Sequence, residues 1–308
     1  MRVVFFGSGE FGRPTLEHLA KSHEVLTAVS QPDRPAGRGG KSTPTPIGAW
    51  SAERGLPLIK PENVNEPGVV ESLRALRADA WVVIAFGQKL SPPLLEGQRA
   101  MNLHASLLPR WRGAAPINAA ILAGDAETGN SVITLADRMD AGLVLATSRR
   151  AIEPSYTTAD LHALLSADGP ALVESCLARA AREWPFGDAQ DPSKVTHARK
   201  LSKEDGWVDF AQRAESCRNR IHGLNPWPTV DVGFRDLTLK LLRASTASGA
   251  GEPGEIIDPG AGLVACGEGT ALELLEVQAP GKRAMTWKEF AAGRRPEKGE
   301  RLRGTARP

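Results

Sequence analysis

Met101-Asn-Leu-His-Ala-Ser-Leu-Leu-Pro-Arg-Trp-Arg-Gly-Ala-Ala-Pro-Ile117 sets polar residues directly after a short apolar run, and the rest of the chain is arranged around that junction. Upstream, Asp79-Ala-Trp-Val-Val-Ile-Ala85 has the continuous apolar character of a parallel strand buried on both faces. Arg99-Ala-Met-Asn-Leu103 reads as its neighbour. Alternation along a strand sends Asn102 and His104 to the same side. Open α/β sheets collect ligands beyond the carboxyl ends of their strands, so the pair is expected at the mouth of a cleft.

An amide that donates to a developing oxyanion, beside an imidazole that moves a proton, suits acyl transfer to an amine. Such an imidazole commonly needs a carboxylate to orient and charge it. Asp140 is the candidate, in Arg138-Met-Asp-Ala-Gly142, a turn after the strand-like Ser131-Val-Ile-Thr-Leu135. By itself an Asn-x-His pair at a strand end is more often structural, and only the longer phrase around it points to catalysis.

Toward the amino terminus, Val3-Val-Phe-Phe6 reads as a strand and Gly7-Ser-Gly-Glu-Phe-Gly12 spells GxGxxG before a helical stretch from Arg13 to Lys21. Asp33 follows the second strand, Glu24 to Ser30, at the distance where a dinucleotide fold places its ribose-binding acid. Taken alone, Gly7 to Gly12 predicts an NAD(P)-dependent oxidoreductase. However, Arg34-Pro-Ala-Gly-Arg-Gly-Gly-Lys41 is longer and more basic than a ribose clamp requires, and the glycines are expected to allow a tight strand-to-helix turn. Residues 31–46 hold three glycines, four prolines and three cations, which excludes a helix or an interior strand and predicts an exposed loop. Such a loop can grip RNA phosphates, although plain solvation is the simpler reading.

Helical patterns at Ile47 to Arg54, Pro67 to Arg77 and Ala114 to Leu122 alternate with the strands. A further helical region, Thr157 to Arg182, is expected to be interrupted near Gly169-Pro170. The alternation predicts an α/β fold with an open, mostly parallel Rossmann-like sheet. After Pro185 the texture changes to Pro, Gly and cations. Beyond Asp205, five short strands between Gly- and Pro-containing turns predict a smaller carboxyl-terminal OB-like β-barrel. The expected domains are 1–189, a linker 190–204, and 205–308.

A chain of 308 residues can bury two cores, and 41% hydrophobic residues with 24% charged ones exclude a disordered protein. Net charge is +2, so any nucleic-acid contact must come from local basic clusters. Cys176, Cys217 and Cys266 lie far apart without metal-ligand spacing, which argues against zinc and against a disulfide framework. The chain enters a strand at once and contains no apolar run of membrane length, so a cytoplasmic location without a membrane partner is expected.

The phrase Asn-x-His-x-Ser-Leu-Leu-Pro-Arg-Trp-Arg-Gly-Ala-Ala-Pro-Ile, followed by Asp-Ala-Gly, resembles the formyltransferase family that uses 10-formyltetrahydrofolate. The resemblance implies the formyltransferase fold, Asn102, His104 and Asp140 as the catalytic trio, and a folate site at Ser106, Leu107, Leu108 and Pro109. Ala85-Phe-Gly-Gln88 matches the family's Ala-Tyr-Gly, which implies Phe86 and Gly87 at the pterin pocket with the hydroxyl lost. Gln31-Pro-Asp-Arg-Pro-Ala-Gly-Arg-Gly39 is similar to a loop of the family's tRNA-acting members, implying Arg38 as chief tRNA contact with Arg34 and Lys41 beside it. Val195-Thr-His-Ala-Arg-Lys-Leu-Ser-Lys-Glu204 resembles their linker and adds Lys200 and Lys203. Asn225-Pro-Trp-Pro228 and Pro280-Gly-Lys-Arg-Ala-Met285 resemble their carboxyl-terminal domain.

The implied donor is 10-formyltetrahydrofolate as co-substrate and the implied acceptor is initiator methionyl-tRNA, with no metal and a monomeric chain. The sequence departs from the family pattern at Ser8-Gly9-Glu10, at Phe86 and at Leu143, where the family commonly continues Thr-Gly-Asp after its acid. Competing readings are a relative that formylates a small amine or hydrolyses the folate donor, the NAD(P) oxidoreductase, and a non-catalytic RNA-binding protein.

Overall fold

The computed structural model describes residues 1–36 and 41–304, in two compact units. The first comprises Met1–Arg112, Gly129–Arg150 and His162–Thr196; the second comprises Gly113–Thr128, Ala151–Leu161 and His197–Pro308. Two interior segments therefore join the carboxyl-terminal unit, a division that no single cut in the sequence represents.

The elements of the first unit are β1 (Arg2–Gly7), α1 (Arg13–Ser22), β2 (Glu24–Val29), β3 (Arg34–Ala36), β4 (Lys41–Thr43), α2 (Pro46–Glu53), β5 (Leu58–Ile59), α3 (Pro67–Ala75), β6 (Ala80–Ile84), α4 (Pro92–Leu95) and β7 (Ala100–His104). In chain order there follow β8 (Arg112–Gly113), α5 (Pro116–Ala123), which belongs to the second unit, β9 (Glu127–Thr134), β10 (Val144–Ala151) and α6 (Thr158–Ala180). The sheet order is β10-β9-β7-β6-β1-β2-β5. From β5 to β7 every pairing is parallel, whereas β9 runs antiparallel to β7 with His104 opposite Ser131. The expected open, mostly parallel sheet is what forms.

All five residues of β6 are buried, as expected of an apolar, β-branched run at the centre of a parallel sheet. Its Trp81 ring and that of Phe86 lie 5.1 and 5.6 Å from the Phe6 ring, centroid to centroid. The 31–46 segment, expected as an exposed loop without helix or interior strand, carries one short ribbon among its described residues. Arg34–Ala36 pairs antiparallel with Lys41–Thr43, a short exposed ribbon that tolerates proline because neither strand has a second neighbour.

Helix α6 also differs from expectation: it runs unbroken through Pro170. Gly169 sits where a Cβ would come within 2.8 Å of Leu103 and of Thr15, so the absence of a side chain lets α6 approach β7 and α1 closely. That approach gives the proline-bearing turn a tertiary contact, which outweighs the local cost of proline.

In the second unit, α7 (Ala214–Gly223) follows β11 (His197–Ala198), and then come β12 (Val230–Phe234), β13 (Leu237–Ser248), β14 (Ile256–Asp258), β15 (Leu263–Ala265), β16 (Thr270–Gln278), β17 (Met285–Thr286), α8 (Trp287–Arg294) and β18 (Arg303–Gly304). The strands run antiparallel in the order β14-β15-β16-β13-β12-β18. The two ends then meet: Ile256 N–H donates to Glu300 C=O, Gly299 N–H to Ile256 C=O, and Leu302 N–H to Gly254 C=O. The sheet is thereby closed into a small barrel, the solution that removes exposed edges. Its core includes Val232, Leu241, Leu272 and Trp287.

His222, on α7, is 2% exposed, and its Nε2 accepts from Ala244 N–H at 3.1 Å. Burial first, then Arg218 and Arg243, hold this imidazole down at about 4. The folded unit keeps His222 neutral while the unfolded chain protonates it near 6.5, so its effect on stability is nil above that pH and grows unfavourable as pH falls toward 4. We expect a loss of about 3 kcal/mol across that window. Urea unfolding at pH 7 and pH 4.5 checks it: His222→Gln, which retains an acceptor, should unfold with a smaller drop between the two pH values than the wild type.

Candidate active site

The site is built where β7 ends. His104 is 7% exposed, and its Nε2 lies 2.9 Å from the carbonyl oxygen of Trp111. A carbonyl can only accept, so Nε2 carries the hydrogen and donates it. The other nitrogen, Nδ1, faces Asp140 Oδ2 at 3.5 Å, beyond a full hydrogen bond but within ion-pair range. Nδ1 is therefore the nitrogen free to take a proton, and the carboxylate attracts it once it has done so. Asn102, two residues back and half-buried, has no side-chain hydrogen bond among the described residues. Its amide can serve a substrate.

Trp111 and Asp140 both hold left-handed backbone, with φ of 60° and 54°. Non-glycine residues in that region cost free energy and persist only where surrounding contacts hold them. Trp111 is held by Thr196, whose Oγ1 accepts from its N–H at 2.9 Å, while Arg110 stacks over the indole at 4.7 Å. The Asp140 turn is held by Gln190, whose amide nitrogen donates to the carbonyls of Asp140 and Gly142 at 2.7 and 2.8 Å. Gln190 Oε1 in turn accepts from Arg112 Nε and Nη2 at 3.0 and 2.7 Å. A Cβ on Gly142 would lie 1.7 Å from the backbone oxygen of Thr134, so only glycine lets the turn lie against β9.

The expected folate residues divide. Ser106 is fully buried, and its hydroxyl donates to Arg110 C=O at 2.6 Å, so it fastens the 106–110 turn from beneath. Ser131 Oγ braces the same turn, donating to Ser106 C=O and accepting from Leu108 N–H. Leu107 and Pro109 line a groove of about 480 Å³ with Arg110, Lys194 and Thr196, and Leu108 is buried. Phe86 is 2% exposed and meets Phe6 edge-to-face, which places its ring in the core rather than at a pocket wall. Only its carbonyl turns outward, accepting from Ser8 Oγ and Gln31 Nε2. Gly87 follows with φ of 88°.

Of the expected tRNA contacts, Arg38 lies outside the described residues. Arg34 is exposed on β3, Lys41 begins β4, and Lys200 and Lys203 are exposed around Asp205, whose carboxylate accepts from Arg199. Among the described residues no group of three or more His, Cys, Asp or Glu could hold a metal ion, and no helix is long and apolar enough to cross a membrane.

The glycine-rich turn serves packing. A Cβ on Gly7 would meet the Phe5 ring at 2.6 Å, and one on Gly12 would meet Phe5 and Ile84 at 3.1 and 3.2 Å. Glu10, in the short turn before α1, is paired with the Arg13 side chain at 2.5 Å. Asp33 is bonded to Lys60 at 2.6 Å. These contacts remove the basis for the dinucleotide reading.

Gln190 was not singled out by sequence reasoning, because it sits in a stretch whose composition reads as linker. The signal available was weak, one amide side chain beside Asp191.

Residues 1–175 match the formyl transferase family, and residues 200–295 match its C-terminal domain. A methionyl-tRNA formyltransferase of Magnetococcus marinus is 41% identical over 306 residues, spanning 98% of this chain and 98% of its own. That of Methylococcus capsulatus is 43% identical over 296 residues, covering 94% and 96%. Among solved structures, an N-formyltransferase from Helicobacter canadensis in complex with folinic acid and dTDP-3-aminofucose gives a TM-score of 0.66 at 14% identity, over 90% of this chain and 98% of that one. HypX from Aquifex aeolicus in complex with tetrahydrofolic acid gives 0.64 at 15% identity; it covers all of this chain, which spans about half of HypX (51%). At such identities the two structures speak for a shared fold alone.

Gly142→Ala should destabilise the protein by roughly 1–3 kcal/mol, the usual range for a forced overpacking, and reduce turnover by displacing Asp140. Thermal denaturation beside a turnover assay checks both, and an unchanged midpoint would contradict the close approach to Thr134.

Proposed function

The chain belongs to the formyl transferase family, and from that membership we propose that it transfers the formyl group of 10-formyltetrahydrofolate to the α-amine of initiator methionyl-tRNA, giving the N-formylmethionyl-tRNA with which translation begins. The observation that carries the reading is the buried His104, fixed at Nε2 by a carbonyl and faced at Nδ1 by Asp140, on a strand whose Asn102 amide has no hydrogen-bond partner among the described residues.

Each side chain has a role its atoms allow. The amine attacks the formyl carbon, forming a C–N bond and moving an electron pair onto the formyl oxygen. Asn102 donates to that oxygen, where charge develops only as the transition state forms. His104 Nδ1 accepts the proton that the amine loses, and Asp140 stabilises the resulting imidazolium. On collapse the bond between carbon and the donor nitrogen breaks, and His104 returns the proton to that nitrogen. The proton balance closes without any further reactant.

The folate donor is assigned to the segment Ser106–Pro109, with Leu107 and Pro109 as its apolar contacts, Ser106 shaping the turn, and Phe86 and Gly87 contributing backbone. Residues 1–189 are assigned catalysis, 190–204 the connection and 205–308 support of the tRNA, in a monomeric protein. Arg38, Arg34 and Lys41 on the 31–46 segment, with Lys200 and Lys203, are assigned the tRNA phosphates, where cations contribute salt-dependent affinity.

The deciding experiment is transfer of radiolabelled formyl from the folate donor to methionyl-tRNA. Asn102→Ala should lower kcat by about 10²–10³ with KM for both substrates nearly unchanged, as expected for loss of one oxyanion donor. Label released as free formate or found on a small amine would favour the other members of the family. Arg38→Ala should instead raise KM for tRNA, leave kcat nearly intact, and reduce the salt slope of tRNA binding by about 1.

A further inference from the structure

Gln190 joins two backbone segments on opposite sides of His104. On one side its Nε2 spans the carbonyls of Asp140 and Gly142, and on the other its Oε1 receives two N–H groups from Arg112, the residue after Trp111. The orientation of this amide is fixed by chemistry: carbonyls only accept and a guanidinium only donates, so exchanging Oε1 and Nε2 would break all four bonds. The segments it ties are the two that make His104 work. One carries the Trp111 carbonyl that holds Nε2, and the other carries the carboxylate that faces Nδ1. Both Trp111 and Asp140 sit in left-handed backbone that relaxes unless something holds it.

We propose that Gln190 is a positioning residue, a polar clasp that sets the distance and angle between His104 and Asp140, with Arg112 as its anchor. Gln190 acts through Asp140 and touches no reacting atom. The proposal rests on the acyl-transfer reading above. Because Nδ1 and the carboxylate are already 3.5 Å apart, a further slip of the 140–142 turn removes the attraction that stabilises the imidazolium.

The test combines a double-mutant cycle with hydrogen exchange. Gln190→Met, similar in length but without either polar atom, should lower kcat about 100-fold, the size expected when catalytic groups are displaced by about 1 Å, with KM for both substrates within about twofold. In an Asp140→Asn background the same change should cost less than about threefold, because the residue acts through a carboxylate already lost. Gln190→Glu retains the pairing with Arg112 but loses both donations, and should fall as far as Gln190→Met. Arg112→Met should give an intermediate loss of about tenfold.

Independently of turnover, amide exchange in residues 137–143 should quicken in every Gln190 variant and stay at the wild-type rate in Asp140→Asn. Equal losses in both backgrounds, a raised KM at unchanged kcat, or unaltered exchange in 137–143 would each overturn the proposal. If the wild type transferred no formyl to methionyl-tRNA, the substrate reading would fail, and the exchange comparison would still decide whether Gln190 holds the turn. If Gln190→Met did not fold, Gln190→Glu and Arg112→Met carry the same comparisons.

Discussion

A buried imidazole must have its nitrogens satisfied, and the way His104 meets that demand governs the surrounding structure. One nitrogen is given a carbonyl at 2.9 Å and the other is left facing a carboxylate at 3.5 Å. The first contact requires Trp111 to turn its carbonyl back toward the strand, which puts that residue at φ of 60°. The second requires the chain after β9 to fold over the strand end, which puts Asp140 at φ of 54° and leaves room only for glycine at position 142. The strain at two backbone positions is thus tied to the freedom of one nitrogen. The antiparallel pairing of β9 with β7 supplies the frame, setting Ser131 opposite His104 and Thr134 opposite Met101.

Much of this arrangement was legible in the sequence. The apolar run at Asp79 to Ala85 gave away the central strand, the two-residue spacing of Asn102 and His104 gave their common face, and Asp140 followed a strand-like run in a turn-like phrase. Gly124 ends α5 at φ of 72°, a left-handed cap that glycine adopts without strain. The parts that were not legible depend on contacts between segments distant in the chain. Phe86 looks like a pocket residue from its neighbours Ala85 and Gly87, yet Phe6 and Trp81 draw its ring into the core. Proline in α6 looks like a break until Leu103 and Thr15 are brought against Gly169. Gln190 has no local pattern because its four partners belong to residues 112, 140 and 142.

The glycine-rich turn illustrates the opposite error, a motif whose residues are real and whose usual ligand does not follow. Gly7 and Gly12 are needed because Phe5 and Ile84 crowd them, a requirement of any strand-to-helix turn packed against a neighbouring parallel strand. What a dinucleotide additionally needs is a free ribose-binding acid, and Asp33 is instead bonded to Lys60 at 2.6 Å.

The closure of the carboxyl-terminal barrel has a consequence for how the protein is made. The hydrogen bonds that seal it join residues 254–256 to residues 299–302, so its last seam comes from chain that a ribosome delivers late. The strands that frame His104 and Asp140 are complete well before that point. During synthesis the catalytic sheet can therefore assemble while the barrel is still an open, unpaired sheet, and such edges attract other chains. A chain not yet extended past residue 299 leaves that edge unpaired, so the seam that completes the barrel is also what withdraws its edge from other chains.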